Sequence, residues 1–193
     1  QVSIEKEMKN LNIPNPEFNI HIRYTEQETS FVIFKGIHVK PTATGFDTVE
    51  FYLSTNPGEA PKPLTDIASG GEISRIMLSI KTVFQSNDPV DTLIFDEIDT
   101  GISGETAEKV SHALSGLANL KQVICISHLP QIASRANHHL HLSKKNLDQK
   151  TIVDISYLDQ EERITVISQL YGTIKMSGKM EEAYRSMINT AHG

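Results

Sequence analysis

Asp96 and Glu97 stand side by side at the end of the apolar run Leu93-Ile94-Phe95, and a turn carrying Asp99, Gly101, Ser103 and Gly104 follows at once. Side chains alternate along a strand, so neighbouring carboxylates diverge and can divide a task between them. One can hold Mg²⁺, directly or through water, while the other orients and deprotonates an attacking water. Two solvated acids at a strand end are the plainer alternative. The unbroken apolar lead-in weakens it, because it predicts a buried strand delivering both acids to its C-terminal end, where open parallel sheets bind ligands.

Two further segments carry groups of the same kind. In IASGGEISRIMLSIK, Ser69 and Glu72 have the S-x-x-E spacing of a helix capping box, and Ile73, Ile76, Met77, Ile80 and Phe84 recur on one helical face. Gly70 and Gly71 occupy the first turn, where each costs about 0.5–1 kcal/mol relative to alanine. Two bare backbones let an anion approach the unpaired N–H groups at the positive end of the helix dipole. A tight loop-to-helix turn accounts for them equally well. In QVICISHLPQIA a second apolar run ends in Ser127 and His128. A lone histidine is more often structural than catalytic, but neighbouring strands ending in Asp-Glu and Ser-His put polar groups around one crevice.

The chain that must position these groups has 193 residues, enough for one sizeable core or a core with a small subdomain. No apolar run approaches the roughly 18 residues of a membrane span, so no membrane partner is expected, and QVSIEKEMKN does not read as a signal peptide. The single cysteine, Cys125, makes no internal disulfide; within VICIS it reads as a buried thiol acting as a small hydrophobe, and a reducing cytoplasm fits. A formal charge of -6 argues against a surface that is all nucleic-acid footprint but permits a local basic patch. Arg135, His138, His139, His141, Lys144 and Lys145 are the best local candidates, read first as a solvated strand and turn. His139 and His141 would share a strand face, yet no third metal ligand accompanies them at a recognisable spacing.

Ile4, Met8 and Leu11 repeat at helical spacing before the breaker NIPNP. Phe18, Ile20, Ile22 and Tyr24 alternate with polar residues, and TSFVIF and TVEFYLS read as strands too, predicting a small antiparallel sheet that ends in the stiff linker NPGEAPKP. From residue 64 helical patterns alternate with the apolar runs TLIFD and QVICIS, which implies crossover units and a mostly parallel sheet covered on both faces. HHLHLS and TIVDISYL read as further strands. A stripe of Ile164, Ile167, Leu170 and Tyr171, then EEAYRSMINTA, predicts a helical end.

Taken together, the motifs resemble the ATP-binding cassette family in the branch that includes SMC proteins. ASGGE at 68–72 is similar to its signature motif, LIFDE at 93–97 to its Walker B strand, DTGISG at 99–104 to its D-loop, and His128 to its switch histidine. Transporter cassettes carry a different D-loop and a glutamine-type signature ending. The resemblance implies the C-terminal lobe of an α/β ATPase head: residues 1–13 as the end of a coiled-coil helix, 14–63 as an antiparallel β portion, and 64–193 as the lobe bearing the motifs. The chain contains no G-x-x-x-x-G-K-[ST] loop, and GTIKMSGKM at 172–180 is the nearest approach. By resemblance, ATP and Mg²⁺ are the cofactors, and the Walker A lobe is supplied by an N-terminal half of the same protein. Asp96 supports Mg²⁺, Glu97 polarises the attacking water and His128 contacts the γ-phosphate. Ser69, Gly70, Gly71 and Glu72 belong to the signature tip that reads the phosphate of a second head in an ATP-sandwiched homodimer. Asp99, Gly101 and Ser103 lie at the head-to-head seam. DNA is the implied further partner, and a cytoplasmic, nucleoid-associated location follows. Two other readings are a non-catalytic tether binding DNA or another head, and a metal-dependent hydrolase built on Asp96, Glu97 and Asp99.

Overall fold

A computed structural model describes residues 1–67, 69–147, 150–172 and 182, 183, 185, 186 and 188. The chain divides into two units, Gln1–Ser69 and Gly70–Gly193.

In the first unit, helix α1 (Val2–Asn10) buries Ile4 and Met8, and Leu11 and Ile13 are buried just beyond its end. The stripe predicted from spacing is thus part of this unit's own core. Strand β1 (Glu17–Tyr24) buries Phe18, whose backbone N–H donates to Glu5 Oε1 at 3.0 Å and ties strand to helix. Strands β2 (Ile33–Phe34) and β3 (Ile37–His38) form a hairpin closed by Lys35 and Gly36, with φ of 49° and 82°. Positive φ at both loop residues matches the right-handed strand twist. TSFVIF is therefore not a six-residue strand: Ser30 Oγ accepts from the Val32 N–H at 3.1 Å and bends the backbone, leaving Phe31 exposed. Strand β4 (Asp47–Ser54) pairs antiparallel with β1 from Glu17↔Ser54 to Tyr24↔Asp47, and β5 (Lys62–Pro63) pairs with β4 on its other side. The end of the expected linker is thus an edge strand, a position where proline's missing N–H is tolerated.

In the second unit, α2 (Gly70–Phe84) leads to strand β6 (Thr92–Phe95), and α3 (Gly104–Ala118) crosses over to β7 (Gln122–Cys125). Strands β6 and β7 pair in parallel, Thr92 with Gln122 through Phe95 with Cys125. A short helix α4 (Pro130–Ala133) follows, then an antiparallel hairpin of β8 (Leu140–Leu147) and β9 (Lys150–Tyr157), then α5 (Gln160–Leu170). Asp159 and Glu162 open α5 with a reciprocal capping box, both bonds 2.9 Å. Ile164 and Ile167 of the predicted stripe are buried against Ile188, but Leu170 and Tyr171 are exposed. Among the described residues of EEAYRSMINTA, 182, 183, 185, 186 and 188 are helical, and Arg185 grips the Glu161 carboxylate through two nitrogens. Most of GTIKMSGKM lies outside the described residues. No helix among the described residues is long and apolar enough to cross a membrane.

Two expectations about burial need correction. Strand β6 is covered on one face: Leu93 and Phe95 are buried, whereas Ile94 is 67% exposed, and its partner Ile124 and the following Ile126 are exposed beside it. Ile76 and Ile80 of the stripe drawn on α2 are buried as expected, but the inward face extends to residues outside that stripe and excludes its last member. Leu78 and Ser79 are fully buried and Phe84 is exposed. The Ser79 hydroxyl enters this core because it donates to the Arg75 carbonyl one turn back, at 3.0 Å. We expect Leu78→Ala to destabilise the chain by about 2–5 kcal/mol through the cavity it leaves, and Phe84→Ala by less than about 1 kcal/mol. Urea unfolding measures both, and equal losses would contradict the assigned face.

Candidate functional site

The two parallel strands end side by side, and a buried carboxylate joins them. Asp99 is only 5% exposed. Its Oδ2 accepts from the Ser127 hydroxyl at 2.7 Å and from the His128 backbone N–H at 2.9 Å, and lies 3.0 Å from His128 Nδ1. A carboxylate at Nδ1 selects the tautomer protonated there and leaves Nε2 available on an imidazole whose side chain is 76% exposed. The Asp99 side chain thus faces inward, binding the turn after β6 to the end of β7 and fixing the histidine's orientation.

The start of α2 closes the site from the other side. Gly71, Ser74 and Arg75 share one helical face by their i, i+3 and i+4 spacing. The Ser74 hydroxyl donates to the Asp96 carbonyl at 2.8 Å, and Arg75 Nη1 donates to the carbonyls of Ile98 and Thr100 at 3.3 and 3.0 Å. A methyl group on Gly71 would meet the Thr100 carbonyl oxygen at 2.8 Å and the Glu97 carbonyl oxygen at 3.0 Å. The bare backbone is needed for this close approach within the chain. Glu97 itself has φ +56°, a left-handed conformation costing a non-glycine residue about 1–2 kcal/mol, and its carboxylate lies beside Gly70. The strain is held by bonds on both sides of Glu97, since Asp96 Oδ1 also accepts from the Glu97 N–H at 2.9 Å. Burial lowers the pKa of the Arg75 guanidinium, and the Glu72 charge opposes that shift.

An open cleft of about 290 Å³ results, lined by Asp96, Glu97, Asp99, Thr100, Ile126, Ser127 and His128. Gly101, with φ +74°, turns the chain behind it, and Ser103 precedes α3 in extended conformation. Ser69 and Gly70 are exposed, whereas Gly71, expected at the same ligand-reading tip, is buried against the turn after β6. Asp96 fits a Mg²⁺ ion that keeps several waters and takes further oxygens from a substrate. Among the described residues no three His, Cys, Asp or Glu side chains converge into a metal cage of their own, so the donor set suits a substrate-borne ion better than a protein-only centre.

No protein-family model matches the chain. It is 44% identical over 147 residues to the DNA repair protein RecN of Halalkalibacterium halodurans, an alignment covering 76% of this chain and 26% of that one. To the DNA repair protein RecN of Bacillus subtilis it is 33% identical over 190 residues, covering 97% and 33%. Over the stretch it covers, the chain belongs to the RecN family. It spans about a third or less of the length of these RecN relatives. The Smc head domain of Pyrococcus yayanosii, solved with a coiled coil and joint, superposes with a TM-score of 0.53 at 17% identity, covering 88% of this chain and 29% of that one. The fold is that of the C-terminal lobe of an ABC/SMC-type head.

Within this RecN-family lobe, Asp96, Glu97, Asp99 and His128 converge on one cleft, with the Gly70–Gly71 tip packed beside it. Three of the basic candidates are engaged within the chain, while Lys144 is exposed and the Lys145 side chain lies outside what is described. Arg135 is bonded to Glu108 Oε1 at 2.8 Å and to His112 Nε2 at 2.7 Å, His138 to the Tyr157 hydroxyl, and His139 Nε2 to the Ala133 carbonyl at 2.7 Å. The sequence reading missed Ser74, Arg75 and Thr100. The spacing of Gly71, Ser74, Arg75 and Leu78 was the available signal, a stripe whose first turn is small and polar rather than apolar. Cys125 is half-buried, and burial with the nearby charges of Asp99 and Asp96 pushes its thiol up to about 12. We expect alkylation of Cys125 at pH 8 to run roughly 10³-fold slower than that of a free thiol, because the thiolate is the nucleophile; iodoacetamide kinetics at the free-thiol rate would contradict the assigned environment. Gly71→Ala is expected to cost about 1–3 kcal/mol through overpacking on Thr100, measured by chemical denaturation, and a neutral outcome would contradict the packing.

Proposed function

We propose that this chain is the C-terminal half of an SMC-like ATPase head of the RecN type, which uses ATP binding and hydrolysis to drive head engagement during repair of DNA double-strand breaks. The observation that carries the proposal is the convergence of Asp96, Glu97, Asp99 and His128 on one open cleft beside the Gly70–Gly71 helix start. The repair role rests on the similarity to the DNA repair proteins RecN.

Phosphoryl transfer depends on positioning and on neutralising charge more than on covalent chemistry. Asp96 is the residue that would hold Mg²⁺, which supplies charge neutralisation at the phosphates. Glu97 accepts a proton from the attacking water as the water's oxygen bonds to the terminal phosphorus and the bond to the departing diphosphate breaks. His128, oriented by Asp99, presents Nε2 towards the terminal phosphate, to which that nitrogen donates once the ring carries a proton on both nitrogens. Ser69 and Gly70, the exposed residues of the tip, contact the phosphate of a nucleotide held by a second head.

The cleft is incomplete for a whole nucleotide. Its volume of about 290 Å³ falls just below the roughly 300–1,000 Å³ typical of ligand pockets. No phosphate-cradling P-loop motif occurs in the sequence. The uncovered row of Ile94, Ile124 and Ile126 supports docking of an N-terminal half carrying that loop, as does the apolar hairpin face of Leu140 and Leu142 opposite Tyr157 and Ile155. A millimolar site needs about 4 kcal/mol, and the missing loop would provide several charge-assisted bonds of roughly 1.5–3 kcal/mol each. We therefore expect the isolated chain to bind ATP no more tightly than about millimolar; micromolar binding by calorimetry would contradict the proposal. In the complete protein, Glu97→Gln is expected to lower turnover by about 10²–10⁴-fold with ATP affinity retained, and unchanged steady-state turnover would remove Glu97 from its role.

A further inference from the structure

We propose that Arg75 is a positioning residue for hydrolysis: from the first turns of α2 it clamps the backbone of residues 98–100 and so holds Glu97 in its working orientation. The inference rests on the ATPase reading above and concerns the control of that same site.

The geometry is specific. One guanidinium nitrogen, Nη1, spans two alternate carbonyls of the turn, Ile98 and Thr100. Ser74, its neighbour on the helix, holds the Asp96 carbonyl. Gly71 allows the turn to approach within van der Waals distance of the helix. The helix therefore grips the backbone before and after Glu97, while the Glu97 carbonyl is used internally by the Thr100 N–H at 3.0 Å. Glu97 has a left-handed backbone that its residue type does not favour, so the conformation needs support from outside. Its side chain makes no bond with Arg75 among those described. Arg75 therefore acts on the carboxylate only through the backbone.

The same arrangement links two sites. The exposed tip of α2 is the part of this lobe that meets a second head's nucleotide in the proposed sandwich. Arg75 is one turn away from that tip on the same rigid helix, and it grips the segment that carries this head's own base. A displacement of the tip would reach Glu97 through the Arg75 bonds to Ile98 and Thr100.

The test uses the complete RecN-family protein carrying this segment, with Arg75→Ala, Arg75→Lys, Arg75→Gln and Glu97→Gln, and reads kcat, KM and the affinity for a non-hydrolysable ATP analogue. A misplaced catalytic group costs on the order of 10²-fold, so Arg75→Ala is expected to lower kcat by about 10–100-fold with analogue affinity unchanged within about twofold. Lysine, which can reach one of the carbonyls, recovers part of the loss, and glutamine recovers less. If Arg75→Ala does not fold, the order arginine, lysine, glutamine in kcat at constant analogue affinity carries the test. Equal kcat among the folded variants, in a protein where Glu97→Gln abolishes turnover, overturns the positioning role. A parallel loss of kcat and analogue affinity overturns it too, since a merely structural residue would give that pattern. Full turnover by Glu97→Gln would instead overturn the ATPase reading beneath it.

Discussion

The site depends on a carboxylate that is almost wholly buried. Asp99 binds the end of one parallel strand to the end of the other through the Ser127 hydroxyl, the His128 amide and the His128 ring. Hydrogen bonds to a charged group are worth about 1.5–3 kcal/mol each, and a buried carboxylate stripped of such partners would be costly, so the strand ends are held in register by mutual need. The consequence is chemical as well as structural. Asp96 and Glu97 are carried on the same turn that Asp99 anchors, so the exposed acids inherit their placement from the buried one.

The glycines of the helix start serve a second purpose beyond any ligand. Gly71 is bare because the turn after β6 passes within contact distance, and Gly70 is bare where the Glu97 carboxylate lies. The helix tip and a close-packed interface are therefore one object. A change at either glycine acts on the turn after β6 in its own chain as well as on whatever the tip meets.

Much of this was legible in the sequence. The apolar runs ending in Asp96-Glu97 and Ser127-His128 predicted two strands meeting at one edge, and the parallel pair β6–β7 provides them. The spacing of Ile4, Met8 and Leu11 found buried positions because a 3.6-residue period leaves little freedom. What the sequence hid were bonds between distant segments. Arg75 in a list of helix residues is a solvated cation until the carbonyls of Ile98 and Thr100 are beside it. Asp99 looked like a seam residue, and only the fold shows its inward carboxylate. TSFVIF had the composition of a strand, but a side-chain bond to its own backbone, from Ser30, competed with pairing. The bare face of Ile94 was invisible because an apolar run reads as buried on both sides whether or not the covering layer belongs to the same stretch of chain.

The proposed composite site is tested most directly by a structure of the complete protein with a non-hydrolysable ATP analogue and Mn²⁺, the metal located by its anomalous scattering. The ion is expected bound to Asp96 directly or through one water, with the Ser69–Gly71 tip against the terminal phosphate of a nucleotide held by a second copy. A nucleotide and metal bound away from the cleft of Asp96, Glu97 and His128 would contradict the assignment of this lobe as half of a shared ATPase site.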